Sequence, residues 1–239
     1  MGLLDHLEEF RRRILISVGT WFVFAIAAYI FFEPILALIR LPLEEGGTIG
    51  GVRVIDTLVV QGIATAFVLR IKLAVVSGIV LASPVILWQV FGFVAPGLRS
   101  REKKVAIPFF LGAILLFLMG AALAYLILPT AIRWLLGFVG QLGARPLIQF
   151  DQYVNFVTLM VLAFGLCFEL PLLIVALGAV GVVSSRTLRS KRPWALLATF
   201  VIGAVATPGG DPLSQTLMAV PLYLLYEASI LIVRFAFKK

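Results

Sequence analysis

The chain has one cysteine, Cys167, and one histidine, His6. A lone cysteine excludes an internal disulfide, and the two residues together are too few for a zinc or haem site, so no metal or cofactor is expected. Charge is also scarce: 13% of residues are Asp, Glu, Lys or Arg, against roughly one quarter in a soluble domain. No phosphate-binding loop occurs, and the only histidine lies outside the apolar runs, so no base stands ready for a nucleophile inside them. The chain is therefore not expected to be an enzyme.

What it has in abundance is apolar surface: 62% of residues are hydrophobic and mean hydropathy is +1.09. This composition describes an all-α, polytopic membrane protein in one domain, 1–239, with six transmembrane helices over about 14–32, 73–95, 107–132, 153–180, 193–207 and 213–233. The formal net charge of +8 does not point to nucleic acid, because the bases flank apolar runs instead of lining a soluble face. Of the 20 basic residues, 14 fall on the side of the two termini and residues 93–104, which places both termini and that loop in the cytoplasm.

Leu3, Leu7, Phe10 and Ile14 recur at helical spacing, while Asp5, Glu9 and Arg13 stand four apart, as do Glu8 and Arg12. A short amphipathic helix lying on the membrane and running into the first span is expected. Glu8 and Glu9 have two readings. Either they pair with Arg12 and Arg13, worth about 0.3–0.5 kcal/mol per exposed pair, or they accept an incoming cation. Residues 14–32 are uncharged; although Arg11 to Arg13 before them imitate an export signal, the run outlasts Ala25-Ile26-Ala27 and three acids precede it. A retained span is expected.

Residues 33–71, with Pro34, Pro42 and the glycines from Gly46 to Gly51, read as the main external loop with short helices over 35–41 and 58–69. A second external loop is expected over 133–151, and the second span is expected to break late, at Pro84 and Pro96. In residues 93–104 Glu102 is the only acid among Arg99, Arg101, Lys103 and Lys104. It reads as part of an ordinary basic loop or as a cation acceptor. Glu169, ahead of Leu170-Pro171, lies inside a span, where charge costs a few kcal/mol. It is a site candidate, or a protonated acid satisfied by a carbonyl that Pro171 frees. The uncharged fifth run is only about 22 Å long at 1.5 Å per residue, short of a hydrocarbon core of roughly 30 Å, so the bilayer should thin beside it.

Five ordered stretches carry a resemblance. They are His6-Leu7-Glu8-Glu9-Phe10-Arg11-Arg12-Arg13; Ala82-Ser83-Pro84-Val85-Ile86-Leu87-Trp88-Gln89; Phe93-Val94-Ala95-Pro96-Gly97-Leu98 leading to Glu102; Ala163-Phe164-Gly165 to Phe168-Glu169-Leu170-Pro171; and Thr207-Pro208 to Asp211-Pro212-Leu213-Ser214-Gln215-Thr216. Together they resemble the TatC subunit of the twin-arginine protein translocase. The resemblance implies a concave bundle with short fifth and sixth helices in a prokaryotic plasma membrane. It implies a receptor for paired-arginine signal peptides, with export driven by the proton gradient. It also implies a hetero-oligomer of several copies, in contact with lipid and with single-span partners of the TatA and TatB type.

By the same resemblance Glu9 and Glu102 accept the signal arginines, with Arg11, Gln89 and Phe93 beside them; Glu169 lines an intramembrane polar notch, and Tyr125, Thr207 and Gln215 lie where partner helices dock. Phe10 stands where leucine is usual, and Arg99 replaces a frequent aromatic. Two guanidiniums suit two carboxylates, since arginine forks a carboxylate and lysine does not. A proton-coupled secondary transporter is the other class compatible with buried acids, but it would show an internal repeat, which is not visible here.

Overall fold

The computed structural model describes residues 3–49, 52–94, 103–143, 147–207 and 211–237. Among these the architecture is helical. The α-helices are α1 (Leu3–Ile30), α2 (Phe32–Gly46), α3 (Thr65–Val94), α4 (Lys103–Gln141), α5 (Phe150–Cys167), α6 (Leu170–Val180), α7 (Ser185–Ser190), α8 (Arg192–Ala206) and α9 (Pro212–Phe237). A two-residue ladder, β1 (Thr48–Ile49) against β2 (Val52–Arg53), is antiparallel with Thr48 opposite Arg53. Five segments are long and apolar enough to cross a membrane: His6–Ile30, Thr65–Phe93, Phe109–Gln141, Phe150–Ala179 and Pro212–Phe235. The fifth expected span is α8, which has only 15 residues.

Several expected boundaries move, for physical reasons. The surface helix and first span are one continuous α1, because residues 3–18 contain no glycine or proline to end it. Residues 35–41 belong to the longer α2, whereas 58–61 are extended and α3 begins only at Thr65. The parallel bridge of Val59 with Gln149 explains the extended stretch: Val59 N donates to Ile148 O and Phe150 N to Val59 O. Residues 133–141 are helix, not loop, and α9 is long, 26 residues or about 39 Å, not short. The fourth expected span is interrupted at Phe168 and Glu169, just before Pro171, into α5 and α6.

A proline inside a helix leaves a carbonyl without its usual donor, and at Pro84 and Pro42 a side chain takes it up. Pro84 does not break α3: the Val80 carbonyl it frees accepts from Ser83 Oγ at 2.7 Å. Pro42 in α2 frees the Leu38 carbonyl, which accepts from Tyr125 Oη at 2.8 Å. At the end of α6, Gly181 takes φ +87°, with Val182 N donating back to Leu177 O at 2.9 Å. Only glycine holds that conformation without strain, so Gly181→Ala is expected to cost about 1 kcal/mol in detergent unfolding.

The chain divides into two compact units, Met1–Ile35 with Ala66–Leu115 and Leu36–Thr65 with Leu116–Lys239. In the first, α1 packs on α3: Trp21 Nε1 donates to Val75 O, and Arg70 lies over the rings of Tyr29 and Phe32 while donating to Tyr29 O. In the second, α6, α7 and α8 all pack along α9. Leu188, Tyr226, Ile230 and Val233 form a buried cluster there, and Tyr226 Oη donates to Leu188 O. Many large apolar side chains remain outward, such as Leu126 and Phe235, as expected where the surrounding medium is lipid.

Candidate functional site

In the first unit, Glu9 and Arg13 share one face of α1. Arg13 Nη2 and Nε both donate to Glu9 Oε1, at 2.6 and 3.1 Å. The other oxygen, Oε2, is buried and has no partner. The side chains of Arg13 and Glu9 are only 24% and 21% exposed, so the pair sits half inside the protein. It rests on the end of α3, where a Cβ at Gly92 would overlap the Arg13 guanidinium. Next to it the His6 ring stacks on Phe93, with centroids 4.4 Å apart, and Phe10 tilts against the same ring at 5.2 Å. Gln89 is half-buried one turn before Phe93, on the same face of α3. Arg11 is exposed and, two positions from Glu9, points to a different side of α1. Glu102 lies outside the described residues.

In the second unit the expected polar residues divide into two places. Glu169 precedes α6, with Oε1 buried and unpartnered. Tyr125 on α4 is committed to the Leu38 carbonyl, as described above. Thr207 and Gln215 come together around the C-terminal half of α8: buried Thr207 donates to Gly203 O at 2.8 Å, and Gln215 Nε2 donates to Phe200 O at 2.9 Å. Just beyond, Asp211 Oδ1 accepts from Ser214 N at 2.7 Å and so caps the start of α9, while its Oδ2 and Ser214 Oγ are buried without partners. Among the described residues no His, Cys, Asp and Glu cluster is suited to a metal ion.

The family model for the Sec-independent protein translocase protein TatC matches residues 5–221. The chain belongs to the TatC family. Curated TatC proteins align along nearly its whole length: that of Aquifex aeolicus is 37% identical over 100% of this chain and 97% of its own, and that of Escherichia coli K12 is 35% identical over 98% and 88%. A crystal structure of the twin-arginine translocase receptor TatC superposes with a TM-score of 0.77 at 38% identity, covering 97% of this chain and 99% of that one. A second, of TatC in the detergent DDM, gives 0.80 at 37% identity, with 95% and 98% covered.

Membership makes this a multi-pass membrane component of the Sec-independent, twin-arginine translocase, and its named relatives have a transport role. The secondary-transporter reading gains nothing from these matches. Two features of a TatC chain escaped sequence reasoning. Gly92, the seat of Arg13, had only the weak signal of a glycine inside an apolar helix, which usually has a packing reason. Asp211 had a better one, an acid three residues before the N–H it caps, next to Pro212 at the helix start.

Proposed function

We propose that this TatC, acting as one domain of six spans with both termini cytoplasmic, is the receptor and core of the translocase in a prokaryotic plasma membrane. It takes up paired-arginine signal peptides at its cytoplasmic face through Glu9 and Glu102, with Arg11, Gln89 and Phe93 around them. TatA- and TatB-type partners dock beside Tyr125, Thr207 and Gln215, several copies assemble, and the proton gradient drives export. No cofactor or catalytic step is required.

The observation that supports this reading most is Glu9. It is a half-buried carboxylate at the charged end of a span, one oxygen of which lacks any hydrogen-bond donor. A buried acceptor left unmade costs about 1–3 kcal/mol, so the site gains from an added N–H. The test is the affinity of the protein in lipid nanodiscs for a paired-arginine signal peptide and for its paired-lysine variant. Arginine should be preferred by about tenfold or more, the discrimination of one charge-assisted hydrogen bond, and Glu9→Ala and Glu102→Ala should each reduce that preference. Equal binding of both peptides, or a preference untouched by either mutation, removes the site.

A further inference from the structure

Glu9 is not an open carboxylate. Its Oε1 already receives two N–H groups from Arg13, which fills both lone pairs of that oxygen, and only Oε2 remains. An arginine docking side by side on a carboxylate needs one N–H on each oxygen. The two geometries exclude one another. An incoming guanidinium reaches its forked arrangement on Glu9 only if Arg13 gives up at least one of its bonds to Oε1.

The seat of Arg13 is itself built for that residue. Its guanidinium lies where a side chain at position 92 would be, and α3 has glycine there. The position is set off by bulky neighbours, Phe91 before it and Phe93 after it, and Phe93 is covered by His6 and Phe10 from α1. Nothing in helix propensity favours glycine inside a long apolar helix, where alanine is better by about 1 kcal/mol. Packing of the guanidinium against the α3 backbone supplies the reason.

We infer that Arg13 is a specificity-determining residue: a resident guanidinium that occupies Glu9 in the empty receptor and that an incoming guanidinium must displace before it can fork the carboxylate. The inference rests on the reading of Glu9 as a signal-peptide acceptor. Its consequence is selective. A second guanidinium forks Glu9 only by removing Arg13 from Oε1, so an incoming arginine bears the whole cost of the displacement. A lysine ammonium is a compact point charge that needs no fork, so it sits on the open Oε2 and leaves Arg13 in place. Arg13 thus holds the preference for arginine below what a free carboxylate would give.

The experiment measures nanodisc affinities for the paired-arginine peptide and the paired-lysine peptide in four variants of the full chain. Arg13→Gln removes the competitor, and Gly92→Ala leaves all charges in place but expels the guanidinium from its seat. Both are expected to raise arginine-peptide affinity more than lysine-peptide affinity, so that the arginine-over-lysine ratio rises about tenfold, the size of one charge-assisted hydrogen bond. Arg12→Gln, on an exposed neighbour, controls for the loss of one positive charge and is expected to strengthen both peptides alike with the ratio unchanged. Glu9→Gln separates the two levels: it should lower arginine-peptide binding if Glu9 is the acceptor at all.

If Glu9→Gln lowers binding while Arg13→Gln and Gly92→Ala leave the ratio unchanged, Arg13 is a bystander and the inference fails alone. Weaker arginine-peptide binding in both of those variants also overturns it, by making Arg13 a support for Glu9 and not its competitor. If Glu9→Gln has no effect, the site itself is lost and the inference goes with it.

Discussion

Glu169→Met is expected to abolish export while making the purified protein slightly more stable. The residue sits in the two-residue interruption between α5 and α6, where Phe168 N still reaches Phe164 O and Leu173 N reaches Glu169 O. These backbone bonds are made without the side chain. The carboxyl itself is unsatisfied, because Oε1 is buried and no donor meets it. Methionine fills a similar volume and has no oxygen to satisfy, so its gain should be about 1 kcal/mol, read as a higher unfolding midpoint in detergent. We propose that Glu169 is where a proton enters the export cycle, and methionine cannot carry one. Glu169→Gln separates the effects: it keeps a polar end but no titratable proton, and should lose export without the stability gain. Signal-peptide affinity should be unchanged in both variants. Normal export by either variant would take Glu169 out of energy coupling, and a lower midpoint in Glu169→Met would mean that the carboxyl is held by a donor.

Such a trade of stability against activity marks the residues that sequence reading finds most easily. A carboxylate in an apolar run stands out whatever its neighbours are, and so do Glu9 and Arg13, whose spacing of four announces a pair. The cores of the spans were equally legible, since an uncharged run of spanning length has few other fates. Their ends were not. Hydropathy treats a charged residue as the start of a loop, but a helix ends only where its backbone bonding ends. Arg133 stays within α4 because its guanidinium reaches the Glu45 carbonyl, at 2.8 Å from Nη2. Arg70 stays within α3 because two rings and the Tyr29 carbonyl receive it. In each case the partner comes from a segment remote in sequence, and a local pattern cannot contain it.

Prolines misled for the same reason. Pro84 suggests a break, yet Ser83 on the same turn supplies the missing donor, which a sequence rule about neighbours can anticipate. Pro42 is rescued from far away by Tyr125, which no local rule anticipates. The site divides along this line too. Glu9 with Arg13 was readable as a local pair, whereas Gly92 acquires meaning only once α1 and α3 are side by side. In a membrane this matters more than in water, because apolar burial does not by itself drive helices together and close fit has to do so.

The crossing of α4 and α5 puts that dependence in measurable form: a side chain added at Gly120 should be far more damaging than one added at Gly165, and only the second should be rescuable. The two helices meet glycine to aromatic in both directions. A Cβ at Gly120 would stand 2.5 Å from the Phe164 carbonyl oxygen and 2.9 Å from the Phe168 ring, while a Cβ at Gly165 would stand 2.9 Å from the edge of the Phe117 ring. Phe117, Phe164 and Phe168 are all buried. At Gly120 the obstacle is backbone, so relief requires the helices to separate, and Gly120→Ala should cost about 3 kcal/mol. At Gly165 the obstacle is the end of one side chain, so Gly165→Ala should cost roughly 1–2 kcal/mol. Phe117→Leu removes that end. Alone it leaves a void and destabilises, but combined with Gly165→Ala the losses should fall short of additive by about 1 kcal/mol or more. Combined with Gly120→Ala it should give no such relief. Unfolding midpoints of the single and double variants in detergent measure the coupling. Additive losses for Phe117 with Gly165, or an equal rescue of Gly120, would mean that the two helices are not held at this distance by their glycines.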